Sequence, residues 1–319
     1  MAKSLAEYLD SLDSRSDLIF PKPPRRQPIK ATPTCKALPE IQVVIWSLYG
    51  TLLSIDSGRL QHDHPQEFRM QIALQKTIDE FKMWNSMSRK PGQPWEYMLQ
   101  QYRGVLEEMR MAGTRRKGDV PELDSTAIWG KLIDRLMRNE FEWDRGTLGD
   151  EESLAVKVAY FFHAMLQGTT AFDGTAETLA RIGQAGLRQG LLDDMQQFSL
   201  AQLLQELRRQ GAEGHLTTLF SPELSGMSYQ LGIRKPSPTL FETVAARCGE
   251  AGFAPQQVFY LTNRLTDDLS EARQVGFRTG LMVVDASCTR IDANDLKNPN
   301  FRPDRLLTDV RQVCDIVGA

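Results

Sequence analysis

The sequence predicts an α/β protein: a doubly wound, Rossmann-like parallel sheet with an all-helical domain inserted near its start. Three observations predict it. Ile41 to Trp46 is a nearly continuous apolar run of strand-forming residues, the pattern of a strand buried on both faces. From about Gln66 to Leu166 the apolar residues recur at helical spacing instead. From Phe172 onward, short apolar runs alternate with amphipathic segments, which builds βαβ units and a sheet covered by helices on both faces.

Taken in order, residues 1–40 form an N-terminal helix and arm. Leu5, Tyr8, Leu9 and Leu12 share one helical face, and "FPKPPRRQPIKATPTCKALP" is rich in proline and basic residues. That segment should be extended, either disordered or strapped over the surface, and a partner-binding role for it stays open. Residues 41–56 and 172–319 are assigned to the sheet-bearing core and 57–171 to the helical insertion. Within the insertion Leu74, Ile78 and Phe81 repeat on one face, as do Tyr102, Val105, Leu106 and Met109. Ile128, Leu132, Ile133, Leu136 and Met137 form a third face, and Leu154 to Leu166 a fourth segment. "SRKPGQPWEY" and "MAGTRRKGDVPELD" punctuate them as loops. Trp84, Trp95, Trp129 and Trp143 are expected as core anchors.

In the second half, "AETLARIGQAG" reads as a helix ending at Gly186 and "LRQGLLD" as a strand. "SLAQLLQELRRQG" opens with Ser199 as the expected N-cap. "LTTLFS" is read as a strand, "SPTLFETVAARCG" as a helix and "QVFYLT" as a strand. "DDLSEARQVG" follows as a helix, and "RTGLMVV" is the last clear strand.

The chain has 319 residues, 41% hydrophobic and 25% charged, with a net charge of -3. That is the profile of an ordinary globular protein of one large or two modest domains. It gives no electrostatic reason to expect a nucleic-acid partner. The basic run Thr114 to Gly118 reads as a solvated loop. Cys35, Cys248, Cys288 and Cys314 are scattered without a CxxC pair, which argues against a disulfide framework or a zinc site. No stretch has signal-peptide or membrane-spanning character, so a cytoplasmic protein with no membrane partner is expected.

In doubly wound sheets, ligands sit beyond the carboxyl ends of the strands. Four clusters fall there: Ser47 to Thr51, Asp193-Asp194, Lys235-Pro236, and Thr262-Asn263 with Asp267-Asp268. Their order resembles the haloacid dehalogenase superfamily, the aspartate-nucleophile phosphatases, dehalogenases and relatives. "WSLYGTLL" is similar to the first motif and "GLLDDMQQF" occupies the second. "GIRKPSPTLFETVAARCG" matches the third, centred on Lys235, and "VFYLTNRLTDDLSEARQVGFRTGLMV" the fourth. "TAFDGTAETLARIGQAGLRQGLL" is typical of the return from an inserted cap. The resemblance spans about Ile41 to Val317 and implies a cap after the first strand.

The resemblance also implies an Asp nucleophile and Mg²⁺, held by that Asp, a backbone carbonyl two residues on and a fourth-motif Asp. Ser47 stands at the nucleophile position. A serine hydroxyl without a base is a poor nucleophile and a poor ligand for a hard cation. None of the four histidines, His62, His64, His163 and His215, falls within a motif. Tyr49 has a precedent in the dehalogenase-like branch, but a phenol with an ordinary pKa near ~10 is a weak general acid or base at neutral pH. Asp193 puts an acceptor-only carboxylate where the family has a phosphate-binding hydroxyl. Asn263 replaces a metal-binding Asp and Thr262 a Gly.

The candidate site therefore comprises Ser47, Tyr49, Asp193 and Lys235 at the catalytic positions and Thr51 and Asp194 beside a bound ligand. Asn263, Asp267 and Asp268 stand at the metal positions. Competing structural roles are equally concrete. Asp193 or Asp194 can simply neutralise Lys235, Asp268 can cap the helix it opens, and Gly50-Thr51 can serve the turn. The expected function is a catalytically impaired hydrolase-fold protein acting in binding, regulation or scaffolding, with an unspecified protein or small-molecule partner and no cofactor. The alternative is an active Mg²⁺-dependent hydrolase using Asp193 or Asp194.

Overall fold

The computed structural model describes residues 2–87, 92–289 and 298–319. Residues 88–91, at the start of the expected "SRKPGQPWEY" loop, lie outside them. The chain opens with α1 (Leu5–Asp13). Ser4 caps it reciprocally with Glu7: Ser4 N–H donates to Glu7 Oε2 at 2.7 Å and Glu7 N–H to Ser4 Oγ at 3.3 Å. Its apolar face buries Tyr8, Leu9 and Leu12. The proline-rich arm is strapped across its own chain. Ala286 N–H donates to Gln27 O at 2.8 Å, Thr34 N–H to Leu306 O at 2.8 Å and Leu38 N–H to Ile316 O at 2.7 Å.

β1 (Val43–Trp46) is followed by β2 (Leu53–Ile55) and then by α2 (Glu67–Glu80), α3 (Pro94–Arg110) and β3 (Val120–Pro121). α4 (Ser125–Met137), α5 (Arg145–Leu148) and α6 (Glu151–Leu166) complete the helical block, and β4 (Thr169–Ala171) pairs antiparallel with β2 on the way back. The block packs around Trp129, Tyr102 and Phe162, whose ring centroids lie 5.0–5.8 Å apart. Trp129 is fully buried as expected. Trp84 is not an anchor: it is 52% exposed, because it lies in a short 3₁₀ segment beyond the periodic face of α2.

The chain continues through α7 (Thr175–Gln184), β5 (Arg188–Asp193), α8 (Ser199–Arg209), α9 (Leu216–Leu219) and β6 (Gly226–Met227). Next come α10 (Ser228–Leu231), β7 (Ile233–Arg234), α11 (Pro238–Glu250), β8 (Val258–Thr262) and α12 (Leu265–Gln274). β9 (Arg278–Met282), β10 (Arg305–Leu307) and α13 (Gln312–Val317) end it. Among the described residues, six strands form one sheet in the order β10-β9-β8-β1-β5-β6. Every neighbouring pair is parallel. β1 is central, and its side chains alternate between two apolar layers, Val44 and Trp46 on one side and Val43 and Ile45 on the other. Among the described residues no helix is long and apolar enough to cross a membrane.

Three local expectations fail. "LTTLFS" contributes one helical turn, Leu216–Leu219, and the strand beside β5 is the two-residue Gly226–Met227, too short to carry a periodic signal. Ser199 is the first residue of α8 rather than its cap. Its hydroxyl accepts from Gln196 N–H at 2.8 Å and so closes the preceding turn. Asp268 lies inside α12, whose capping residue is Arg264.

Candidate functional site

The strand order sets the ends of β5, β1 and β8 side by side, bringing together Asp193, Ser47 and Thr262. The loop after β7 delivers Lys235, and α12 delivers Asp268. The Lys235 ammonium lies 2.7 Å from Asp193 Oδ1 and 2.7 Å from Asp268 Oδ2. It also donates to Ser47 Oγ at 3.1 Å and to the Tyr260 hydroxyl at 3.3 Å. The Tyr260 hydroxyl donates to Asp268 Oδ2 at 2.8 Å, and the Thr262 hydroxyl donates to the same oxygen. Ser47, Asp193 and Asp268 have no solvent exposure at all.

Asp193 does more than pair with Lys235. Its Oδ2 accepts Leu48 N–H at 2.7 Å and Tyr49 N–H at 2.8 Å. Adjacent backbone N–H groups after a strand form a cradle for an anion, and here the anion is a side chain of the same protein. Burial raises the Asp193 carboxyl, but Lys235, Arg264 and the Tyr49 N–H outweigh it and hold it below the usual carboxylate range. Asp194 points elsewhere: it accepts from Arg264 Nη1 at 2.6 Å and from Lys235 N–H at 2.7 Å. Lys235 and Arg264 together oppose Asp193, Asp194 and Asp268.

Tyr49 is a buried, neutral phenol. Burial pushes its pKa up, and it donates to Gln202 Oε1 at 2.9 Å while contacting Ser199 Oγ at 2.9 Å. Thr51 donates its hydroxyl to Ser47 O, closing the turn. Asn263 donates Nδ2 to Cys288 O at 2.9 Å and Gly58 O at 3.2 Å. A Cβ at Gly50, whose φ is +84°, would lie 2.0 Å from that nitrogen, so Gly50 serves both the turn and the seat of Asn263. Asp267 stays apart from the Lys235 cluster, half-buried at a neighbouring cleft.

No protein-family model matches the chain, and no curated protein matches it in sequence. A solved 2-haloacid dehalogenase from Pseudomonas syringae superposes with a TM-score of 0.50 at 16% identity, covering 87% of this chain and 98% of that one. The chain has the haloacid dehalogenase-like fold. A HAD phosphatase from Thermococcus onnurineus gives a TM-score of 0.49 at 14% identity over 87% of this chain and 98% of its own. At these identities the likeness concerns the fold, and chemistry has to be argued from the side chains.

The haloacid dehalogenase-like fold implies a Mg²⁺ ion, and the side chains present do not suit one. Hard dications take several oxygen ligands, mostly carboxylates, carbonyls and water. Ser47 Oγ accepts from an ammonium, the Asn263 amide turns its nitrogen to two carbonyls, and the nearest carboxylates each contact Lys235. Among the described residues no group of three His, Cys, Asp or Glu side chains is arranged to hold a metal ion.

The sequence reading missed Arg264, Tyr260 and a polar seam between sheet and helical block. In the seam Glu122 Oε1 accepts from Leu123 N–H at 2.7 Å and from Gln196 Nε2 at 3.3 Å. Ser125 Oγ lies 2.7 Å from His163 Nε2. This pair lacks donors for a developing oxyanion, because Asp124 takes the Thr126 and Ala127 N–H groups and Gln196 takes that of Ser125. Burial lowers both His62, to about 4, and His163.

Burial, then the charge of Asp194, push the Glu122 carboxyl from 4.5 up to about 7. The folded state thus binds the proton more tightly than the unfolded chain, and stability contributed by the neutral acid is lost as pH rises through that window. Glu122→Gln should gain stability relative to the parent between pH 5 and pH 8, by on the order of 3 kcal/mol. Urea unfolding at the two pH values measures it, and equal differences at both would refute the assignment.

Proposed function

We propose that this chain uses the haloacid dehalogenase-like fold without its aspartate chemistry, and acts by binding, as a regulatory or scaffold protein. The carrying observation is the Lys235 ammonium held between Asp193 and Asp268 while Asp193 occupies the N–H cradle after β1. Ser47 Oγ accepts from Lys235 Nζ, and among the described residues no base contacts it. The helical block and the N-terminal arm supply surface for contacts. Four free cysteines suit a reducing compartment, and the cytoplasm is the proposed location.

A hydrolase that uses Asp193 or Asp194 instead fares worse. The first carboxylate is fully buried with both oxygens engaged, and the second is tied to Arg264. The test is a Mg²⁺-supplemented assay against phosphomonoesters and 2-haloacids. Turnover no greater than that of Lys235→Ala is expected. Turnover that Lys235→Ala abolishes would sink the proposal.

A further inference from the structure

A cleft of about 460 Å³ lies where four parts of the chain meet, and it shares no residue with the Lys235 cluster. Its walls come from the N-terminal arm (Phe20, Pro21), α6 (Tyr160), β4 (Thr170) and α8 (Gln205). The arm wall is fixed at two points. Phe20 sets its ring edge-on to that of Phe161, with centroids 6.1 Å apart. The arm backbone also lies directly on Gly168, where a Cβ would come within 2.3 Å of Pro21 O.

The polar groups left free in this cleft are neutral. Tyr160 is 7% exposed, and its hydroxyl takes no hydrogen bond among the described residues. Gln205, also 7% exposed, donates Nε2 to Asp13 Oδ2 at 2.8 Å. A carboxylate only accepts, so Asp13 fixes the amide and leaves Oε1 as its unpartnered end. Neither atom is sealed off from solvent. The hydroxyl of half-buried Thr170 is free as well. The charged groups of the lining are already engaged. Arg209 pairs with Asp13 at 2.7 Å and with Glu206, whose other oxygen accepts Ala171 N–H at 3.1 Å. Asp173 lies 3.4 Å from Arg26.

These features select a chemistry. A carboxylate only accepts and an ammonium only donates, and either brings a charge for which the lining has no free counter-ion. A hydroxyl does both: it can donate to Gln205 Oε1 and exchange a hydrogen bond with Tyr160 or Thr170. Phe20, Pro21 and Tyr160 add apolar surface on which C–H groups can pack. We propose that this cleft binds an uncharged, hydroxyl-rich small molecule, a monosaccharide or cyclic polyol, held by Tyr160, Thr170 and Gln205. A ligand seated there touches the helical block, the sheet-bearing core and the arm at once. The proposal goes beyond the function argued above and does not depend on the Lys235 cluster. It concerns binding alone and includes no reaction step.

The test titrates the full chain with D-glucose and with myo-inositol by saturation-transfer NMR, and with D-glucuronate as the charged counterpart of the first. Saturable binding of at least one neutral compound is expected, with weaker binding of the glucuronate. Tyr160→Phe removes the hydroxyl alone. It should keep the parent Tm, since that hydroxyl has no partner to lose, and should weaken the apparent Kd by about tenfold. No saturable binding of either neutral compound would overturn the proposal. Parent-like affinity in Tyr160→Phe would do the same, as would glucuronate binding as tightly as the better neutral compound. Hydrolytic turnover would overturn the function proposed above while leaving a positive binding result standing.

Discussion

Lys235→Ala is expected to destabilise the protein by about 3–5 kcal/mol, the range for removing one partner of a buried ion pair. The loss comes less from the ammonium's own contacts than from what it leaves behind. Asp193 and Asp268 are both without exposure and both within 2.7 Å of Nζ. Without Lys235, Asp268 keeps the Tyr260 and Thr262 hydroxyls and Asp193 keeps two backbone N–H groups. Neither set neutralises a charge. The Asp193 carboxyl, which Lys235 helps to hold low, then titrates higher in the folded state than in the parent, so part of the lost stability should return on mild acidification. Urea denaturation at neutral and mildly acidic pH measures both effects. A loss below about 1 kcal/mol, the ordinary size of a surface pair, would show that the cluster is not the dry ion-pair centre described here.

Removing residues 1–17 is expected to cost on the order of 5 kcal/mol. Tyr8, Leu9 and Leu12 are 5%, 1% and 2% exposed, and burying such a side chain contributes about 1.5–3 kcal/mol. The ion pairs of α1 add little, because they are solvent-facing: Asp13 with Arg209 at 2.7 Å and Arg15 with Glu80 at 2.6 Å. Their geometry says more than their energy. Arg209 lies on α8, beside the sheet, and Glu80 on α2, in the helical block, so α1 bridges the two. Truncation should therefore lower Tm and also raise amide exchange in α8 and α6, the helices that α1 packs against. A truncated chain with the parent's Tm and exchange pattern would rule out that bridging role.

Much of this was legible in the sequence, for identifiable reasons. β1 and the Leu154 to Leu166 segment announced themselves as unbroken apolar runs, as burial on all sides requires, and the other three helical faces as periodic ones, as burial on one side requires. Lys235 facing a second-motif carboxylate followed from charge alone, but which carboxylate did not. Asp193 and Asp194 are neighbours on a strand end, so they point to opposite sides, and only the register of β5 against β1 assigns the first to Lys235. Arg264 stayed hidden because a loop residue has no periodicity. The signal available was a charge count, since two adjacent aspartates at a buried strand end call for a second cation. Gly226–Met227 and Arg305–Leu307 were missed because strands of two or three residues offer no pattern. Asp268 was placed at a metal position with helix capping as the competing role, and only the fold reveals that it faces Lys235.

The carboxylate of Asp193 in the backbone cradle has a consequence for how this protein can change. An anion from solution competes there with a rival that is covalently tethered and never diffuses away, so its effective concentration is far above any metabolite's. Position 47 is coupled to the same occupant. An aspartate placed there alone would crowd a third carboxylate around one ammonium, and removing Asp193 alone would strand the Leu48 and Tyr49 N–H groups in a dry interior. Each substitution alone is therefore expected to be destabilising, and positions 47 and 193 are coupled through the one ammonium that both touch.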